Sequence, residues 1–484
     1  MIWTLGLTWA IAVAQTPQQA QPAKPQTPVQ QAQQDDTYQV GTLKAPPPRV
    51  QDPSIPPVVK LPGEDAAPKS PLVNLTADDA ARVALKLNPS LGTGVGAIQQ
   101  ARGIATQQQS VLGPQVTIGT GYDKIQGLAN YPSGPLQGPY LAPLVGVSEV
   151  EAFNAAIQYR QLIYDFNHTL NEVRQDKILA KAAESNLTVQ QQNLVVAVKA
   201  AFYTYANTER LVGVNMENEA NRERQLDLAN ARFKVGIGLP IDVVNAESSK
   251  VQAIVALNSA RQSAEQARVN LLNQIGVNPL TPILVGESIT EAPLSMKEPK
   301  ALLERAVRSR PEVMAARLNV SAYSYGVQAA RTLNLPSIYV SGAAGIEGQN
   351  FPPRESIGAL SIGIQWPIED SGQRSGAIEE ANGQLTVAKA NLESTLLNVQ
   401  NDVANAYLAL HTSEQNVILA GQEVANAQEG VRIAEGRYTA GLGPFQDVLT
   451  AQGLFVGALT DQTNAQNSVD QARVQLKHAI GLIL

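Results

Sequence analysis

Apolar residues recur every seven positions along two stretches of the chain. Leu396, Val403, Leu410, Val417, Val424, Val431 and Tyr438 form one stripe. Val198, Tyr205, Val212, Leu226 and Phe233 form a second in matching register, interrupted by Glu219. A sustained seven-residue repeat is the pattern of helices packed as coiled coils. Proline is absent from 144–239, 368–443 and 445–484. Because proline costs about 3 kcal/mol inside a helix, those gaps permit very long helices. A helix over about 371–440 would reach roughly 105 Å at 1.5 Å per residue. A second ladder follows each stripe: Ala246, Ala253, Ala260 and Ala267, then Ala451, Ala458, Ala465, Ala472 and Ala479. Small residues repeated in a seam let helix axes approach closely.

Elsewhere the period changes to two. Val116, Ile118, Thr120 and Tyr122 alternate with Thr117, Gly119, Gly121 and Asp123. Leu360, Ile362, Ile364 and Trp366 alternate with Ser361, Gly363 and Gln365. This alternation predicts strands with one apolar face, and Ile157–Tyr164 and Ser337–Ile346 are two further candidates. At about 8–10 residues they match tilted membrane strands. The hairpins carry no core sequence of their own, which favours a membrane sheet over a soluble sheet packed on helices. Four strands cannot close a barrel, and an open edge does not survive in lipid. Several chains must then contribute; three would supply twelve strands, although the strands alone do not choose three over two or four.

The body of the chain reads twice. Asn88-Pro89-Ser90-Leu91 corresponds to Arg310-Pro311-Glu312-Val313, and Pro114-Gln115-Val116 to Pro336-Ser337-Ile338, both at an offset of 222. Farther on, Arg232–Gly238 corresponds to Arg437–Gly443 and Asp242-Val243 to Asp447-Val448, at an offset of 205. The missing 17 residues are assigned to a longer loop in the first copy, over Gly127–Gly146. The expected organisation is a first repeat over 75–276 (hairpin about 115–165, tip about 235–243), a linker over 277–300, and a second repeat over 301–484 (hairpin about 337–367, tip about 440–448). Residues 1–14 read as a secretory signal peptide lacking a basic start. Residues 15–74 hold 13 of the 30 prolines and many glutamines, and read as a disordered tail.

Composition narrows the function. Charged residues are 16% and aromatics 5%, below the roughly 25% charged content of ordinary domains. Scarce charge suits helices flanked by neighbours on both sides. The net charge of −6 argues against nucleic acid as a partner. The tail's charges cancel, so the −6 belongs to the body, and in a lumen it would prefer cations. There is no cysteine, and His168, His411 and His478 lie far apart. No metal centre, cofactor or catalytic constellation is expected. Gly92-Thr93-Gly94-Val95-Gly96 lacks the spacing and βαβ context of a phosphate loop.

The ordered, duplicated pieces (the Asn/Arg-Pro starts, the prolines before the strands, and the paired tips Val235–Val243 and Ala440–Val448) resemble the TolC-type outer-membrane efflux proteins over about residues 75–484. The resemblance implies a mainly α protein with membrane β-strands. Its duplicated unit of long coiled-coil helices and β-hairpins would form a homotrimeric α-barrel tunnel capped by a twelve-strand transmembrane β-barrel. It implies a passive conduit, not an enzyme, belonging to a tripartite efflux pump or type I secretion system. The partners would be a periplasmic adaptor, an inner-membrane pump or ABC exporter, and outer-membrane lipid. Many relatives carry an acylated cysteine, absent here, so the barrel alone would hold the protein.

By resemblance, Asp447 lines the periplasmic constriction, Asp242 is its first-copy counterpart, and Tyr438 helps latch the closed tip. For both aspartates a helix-start role is the alternative, worth about 0.3–1 kcal/mol beside the helix dipole; for Asp242 it is the stronger one. Tyr438 is equally placed for simple packing. Gly443 stands where some relatives have a latching arginine, and Thr450 replaces a second acid, so the latch is expected to be built differently. Gly236, Gly238, Gly441 and Gly443 are expected to turn the tips, where the adaptor would dock. A soluble periplasmic coiled-coil adaptor or scaffold is the competing reading.

Overall fold

The computed structural model describes residues 72–128, 147–285, 290–293, 298–348 and 350–483. The signal peptide, nearly all of the tail, and the long first-copy loop beyond Leu128 lie outside them. The elements in order are β1 (Leu72–Leu75), α1 (Ala77–Leu87), α2 (Leu91–Ser110), β2 (Gln115–Leu128), β3 (Val147–Tyr164), α3 (His168–Lys234) and α4 (Pro240–Ile275). Then follow β4 (Ile283–Val285), α5 (Pro299–Ser309), α6 (Pro311–Thr332), β5 (Ser337–Gly348), β6 (Glu355–Gln365), α7 (Gln373–Thr439) and α8 (Phe445–Ala479).

The duplication is visible element by element. α1 and α5 are 11 residues each, and α3 and α7 are 67 residues each. A helix of that length runs about 100 Å, and the absence of proline is what lets it continue. In α7 the predicted stripe faces α8: Val403 and Tyr438 are buried, and Leu396, Leu410, Val417, Val424 and Val431 are half-buried. Between them lie Val399, Ala406, Ser413, Ala420, Ala427 and Ala434, also buried or half-buried. Large knobs therefore alternate with mostly small residues, as close knobs-into-holes packing requires. The alanine ladders of α4 and α8 are buried or half-buried along their length. The Gly92–Gly96 run is helical, inside α2.

The first-copy stripe holds only in part. Val198 and Tyr205 are buried, but Phe233 is 47% exposed. Past the Glu219 interruption, α3 instead buries Arg222, Gln225 and Ala229. Polar side chains therefore enter the seam at Arg222 and Gln225, before it turns apolar again at Leu226 and Ala229.

The strands form one antiparallel sheet in the order β2-β3-β5-β6. The register aligns Ile118 with Ile157, Ile157 with Ala344, Ile338 with Ile364, and Val340 with Ile362. Val116, Ile118, Tyr122, Ile157, Leu360, Ile362 and Ile364 thus share one face, and every one of them is at least half exposed in the single chain. The opposite face carries Gln158, Arg160, Tyr339, Ser341, Ser361 and Gln365. There Arg160 stacks 4.6 Å over the Tyr339 ring, and Ser341 and Ser361 share a 2.8 Å hydrogen bond. The strands are 14, 18, 12 and 11 residues long, longer than the 8–10 that alternation predicts. Backbone pairing continues through Asp123, Lys124, Glu149 and Glu151, where the apolar alternation stops.

A duplicated corner joins each hairpin to its long helix. Asp165 accepts the Thr169 N–H at 2.8 Å after Phe166 and Asn167 take positive φ. Asp370 accepts the Arg374 N–H at 2.9 Å after Ser371 and Gly372 do the same. In both copies the aspartate caps the helix start that the reversal would otherwise leave unpaired.

The tail-to-body boundary shifts slightly. β1 begins at Leu72, inside the stretch read as tail, and pairs in parallel with β4 of the linker. Linker residue Glu291 is 5% exposed and sits in a charge network. It accepts hydrogen bonds from Lys477 and, at 2.7 Å, from Tyr203, with Lys199 at 3.4 Å. Its backbone N–H donates to Asp470 at 3.0 Å, and Arg473 donates to its carbonyl at 3.0 Å. Burial pushes the Glu291 carboxyl up, but the bonds from Lys477 and Tyr203 and the Lys199 charge outweigh it, so it lies below the usual range. Burial holds the Asp470 carboxyl above its usual range.

Two predictions follow from this packing. A Cβ at Gly345 would sit 2.3 Å from the Ala155 carbonyl oxygen and 2.7 Å from the Ala156 Cα. Gly345→Val should therefore disrupt the sheet and weaken its circular-dichroism signal; an unchanged spectrum would refute that packing. Glu291→Gln leaves Lys477 without its carboxylate and should cost about 3 kcal/mol near neutral pH. The Glu291 carboxyl is lowered from 4.5 in the folded state, so its contribution is present above that pH and lost as pH falls through the folded value. Denaturant melts should show the wild-type advantage shrinking below about pH 4.

Candidate functional site

The two helical reversals, α3–α4 and α7–α8, bring the sequence-predicted residues together. At the first, the N–H groups of Ile237 and Gly238 donate to the Arg232 carbonyl at 3.1 and 3.0 Å. At the second, Leu442 donates to the Arg437 carbonyl at 2.8 Å. These bonds satisfy carbonyls that a helix end leaves unpaired.

The four glycines do two different jobs. Only Gly236 (φ 80°) and Gly441 (φ 74°) use the left-handed region. At Gly238 the demand is room: a Cβ there would lie 2.8 Å from the Phe233 nitrogen. Gly443 has a looser fit, with a Cβ meeting Arg437 at 3.3 Å and an Asp447 carboxylate oxygen at 3.7 Å. The four glycines therefore meet different demands, positive φ at Gly236 and Gly441 and room at Gly238.

Tyr438 is the residue through which the tips touch. It is 6% exposed, near the end of α7, and packs its ring on Phe445 of α8 at 5.1 Å between centroids. Its hydroxyl donates to Asp242 Oδ2 of α4 at 3.3 Å. The Arg232 guanidinium of α3 lies 4.7 Å over the same ring, and its Nη1 donates to the Thr439 carbonyl at 3.4 Å. One aromatic ring therefore joins all four tip helices. Burial, followed by the Asp242 charge, pushes the phenol up, so it stays protonated and able to donate. Around it Ala229, Ala246, Phe445, Val448 and Leu449 form a small apolar cluster.

Asp242 and Asp447 occupy the same position in the two copies, in the first turns of α4 and α8. Their surroundings differ. Asp242 is half-buried and engaged by Tyr438; Asp447 is exposed at the tip. The first tip also leaves Val235, Ile237, Leu239 and Ile241 more than half exposed, whereas the second exposes Leu442 and buries Phe445. The spacing alone did not reveal Arg232 as a clamp. It falls inside the repeated tip motif, but its partners come from a segment some 200 residues away. Thr450 sits one turn past Asp447 and bonds the Gln446 carbonyl at 2.9 Å. Among the described residues no group of three or more His, Cys, Asp or Glu side chains is placed to hold a metal ion. No described helix is long and apolar enough to cross a membrane.

Known proteins share this architecture. The outer membrane efflux protein family matches residues 80–277 and 302–482, both repeats. The outer membrane efflux protein BepC of Brucella suis is 26% identical over 331 residues, covering 67% of this chain and 71% of BepC. The outer membrane protein TolC of Escherichia coli is 23% identical over 347 residues, covering 69% of this chain and 70% of TolC. The crystal structure of the outer membrane protein VceC from Vibrio cholerae superposes with a TM-score of 0.70 at 19% identity, covering 84% of this chain and 96% of VceC. The two family matches fall on the two structural repeats and leave out most of the linker between them. The chain therefore belongs to the outer membrane efflux protein family, and the soluble-scaffold reading falls away.

Proposed function

We propose that three copies of this chain form a closed conduit through the periplasm and outer membrane, opened and shut at the helical tips. The observation that carries the assembly is the unfinished sheet. β2 and β6 are free edges, and the Val116–Ile118–Leu360–Ile362 face is uncovered. Unpaired backbone in hydrocarbon costs several kcal/mol per group, so lipid requires a closed barrel, and three sheets would give twelve strands. The helices carry a parallel sign. Leu397, Leu408 and Leu419 of α7 are each 60% exposed. Eleven residues is about three turns, so they lie on one helix face that the chain itself leaves bare.

At the open end, a three-fold arrangement would bring three Asp447 carboxylates into one ring, which would attract cations and resist anions. Tyr438, held by Asp242 and Arg232, would keep the two reversals of each copy together and so the entrance narrow. The apolar tip residues Val235, Ile237, Leu239 and Ile241 are the surface offered to a periplasmic adaptor. Through it the conduit would join an inner-membrane pump or ABC exporter. The chain acts passively in this reading, and its energy comes from the partner.

Conductance tests the gate. Asp447→Ala should raise single-channel conductance in planar bilayers and weaken block by divalent cations; unchanged conductance and block would remove Asp447 from the constriction. Tyr438→Phe keeps the ring and removes only the hydroxyl bond, about 0.5–1.5 kcal/mol per copy. It should increase the open fraction without altering the heat-modifiable trimer band. If the open fraction does not move, Tyr438 is packing alone.

A further inference from the structure

Three cationic side chains among the described residues are at least nine-tenths buried: Lys199, Arg310 and Arg222. Two have carboxylates. Lys199 lies 2.6 Å from Asp78 and 3.4 Å from Glu291. Arg310 lies 2.6 Å from Asp402 and 3.1 Å from Glu312. Arg222 has none. Its one hydrogen bond among the described residues runs from Nη1 to the Leu449 carbonyl at 3.5 Å. Burial alone lowers its guanidinium, with no opposing charge to restore it. An unpaired buried charge costs several kcal/mol, and arginine stays ionised regardless.

Arg222 also lines a cavity of about 510 Å³ between α3, α4 and α8. The other polar groups around it are Asn218, Asn245, Ser248, Ser249, Gln252, Gln446 and Thr450. They are amides and hydroxyls, able to donate, and no carboxylate lines the space. The Asn218 Oδ1 atom is buried without a partner, as are both polar atoms of neighbouring Gln225. The site lies fourteen residues before the Gly236 turn, about 20 Å along α3. This is where the α3 seam departs from its apolar stripe, so the polarity is local rather than general.

We propose that this cavity is an anion site, taking a small carboxylate in a fork from Arg222. A guanidinium presents parallel donors that match a carboxylate, and amide and hydroxyl neighbours complete the shell without competing charge. The volume falls in the range of small-ligand pockets. The anion would neutralise the one buried cation left unmatched among the described residues and tie α3 to α4 and α8 above the tip.

Bromide is the probe. The full-length protein is crystallised in bromide, with and without added acetate, and anomalous diffraction is collected. The expected result is a bromide peak in contact with the Arg222 guanidinium, weakened by acetate and lost in Arg222→Gln. The wild-type crystals decide the matter even if the variant does not fold. No peak, a peak indifferent to acetate, a peak retained in Arg222→Gln, or an acidic side chain of another copy seated on Arg222 would each overturn the proposal.

Discussion

Everything in this molecule depends on two 67-residue helices staying packed against shorter antiparallel partners. Isolated helices gain little from propensity, so their stability must come from side-chain packing along the seam. In α7 the seam alternates aliphatic knobs with mostly small residues, and α8 answers with its alanine ladder. Each fully buried aliphatic side chain contributes about 1.5–3 kcal/mol; in α7 these are Val399 and Val403, with half-buried residues continuing the seam on either side. That distribution fixes where the ends fall. The corners at Asp165 and Asp370 and the reversals at Gly236 and Gly441 are placed by helix length.

A single chain satisfies only part of its own chemistry. The seams within each hairpin are closed, while the sheet faces and edges and the stripe at Leu397, Leu408 and Leu419 are bare. In a compact soluble protein these would be faults. In the proposed assembly they are the surfaces that lipid and other copies would cover. The buried charges follow the same division. The Glu291 carboxylate finds cationic partners within the chain and fastens the linker to α3 and α8. Arg222 is left open.

Much of the fold was legible because its signals are periodic. The proline-free stretch together with the heptads located α7 within two residues of its ends, and the repeat offsets of 222 and 205 anticipated corresponding helix ends in the two copies. The strand lengths were less legible, because backbone pairing runs on beyond the apolar alternation. The α3 stripe misled at Phe233, which is exposed, and gave no sign of the buried polar side chains at Arg222 and Gln225. At the site, the repeated tip motif marked the positions of Asp242, Asp447, Tyr438 and the four glycines, and the family resemblance supplied the roles expected of them. It could not say that Gly238 is there for room, or that Asp242 rather than Asp447 meets Tyr438.

The sequence by itself determined period, helix length, duplication and the position of the two helical reversals, because these depend on local propensity and on which face of an element must be buried. Only the tertiary structure decided which side chains from distant segments meet. The Arg232–Tyr438–Asp242 contact, the pinning of Glu291 and the isolation of Arg222 each join residues far apart in the chain. The physical reason is one of geometry: a pattern fixes a face, whereas a contact requires two faces at a given rotation and height. Two helices of the same periodicity can meet in several registers, and only packing the whole length selects one.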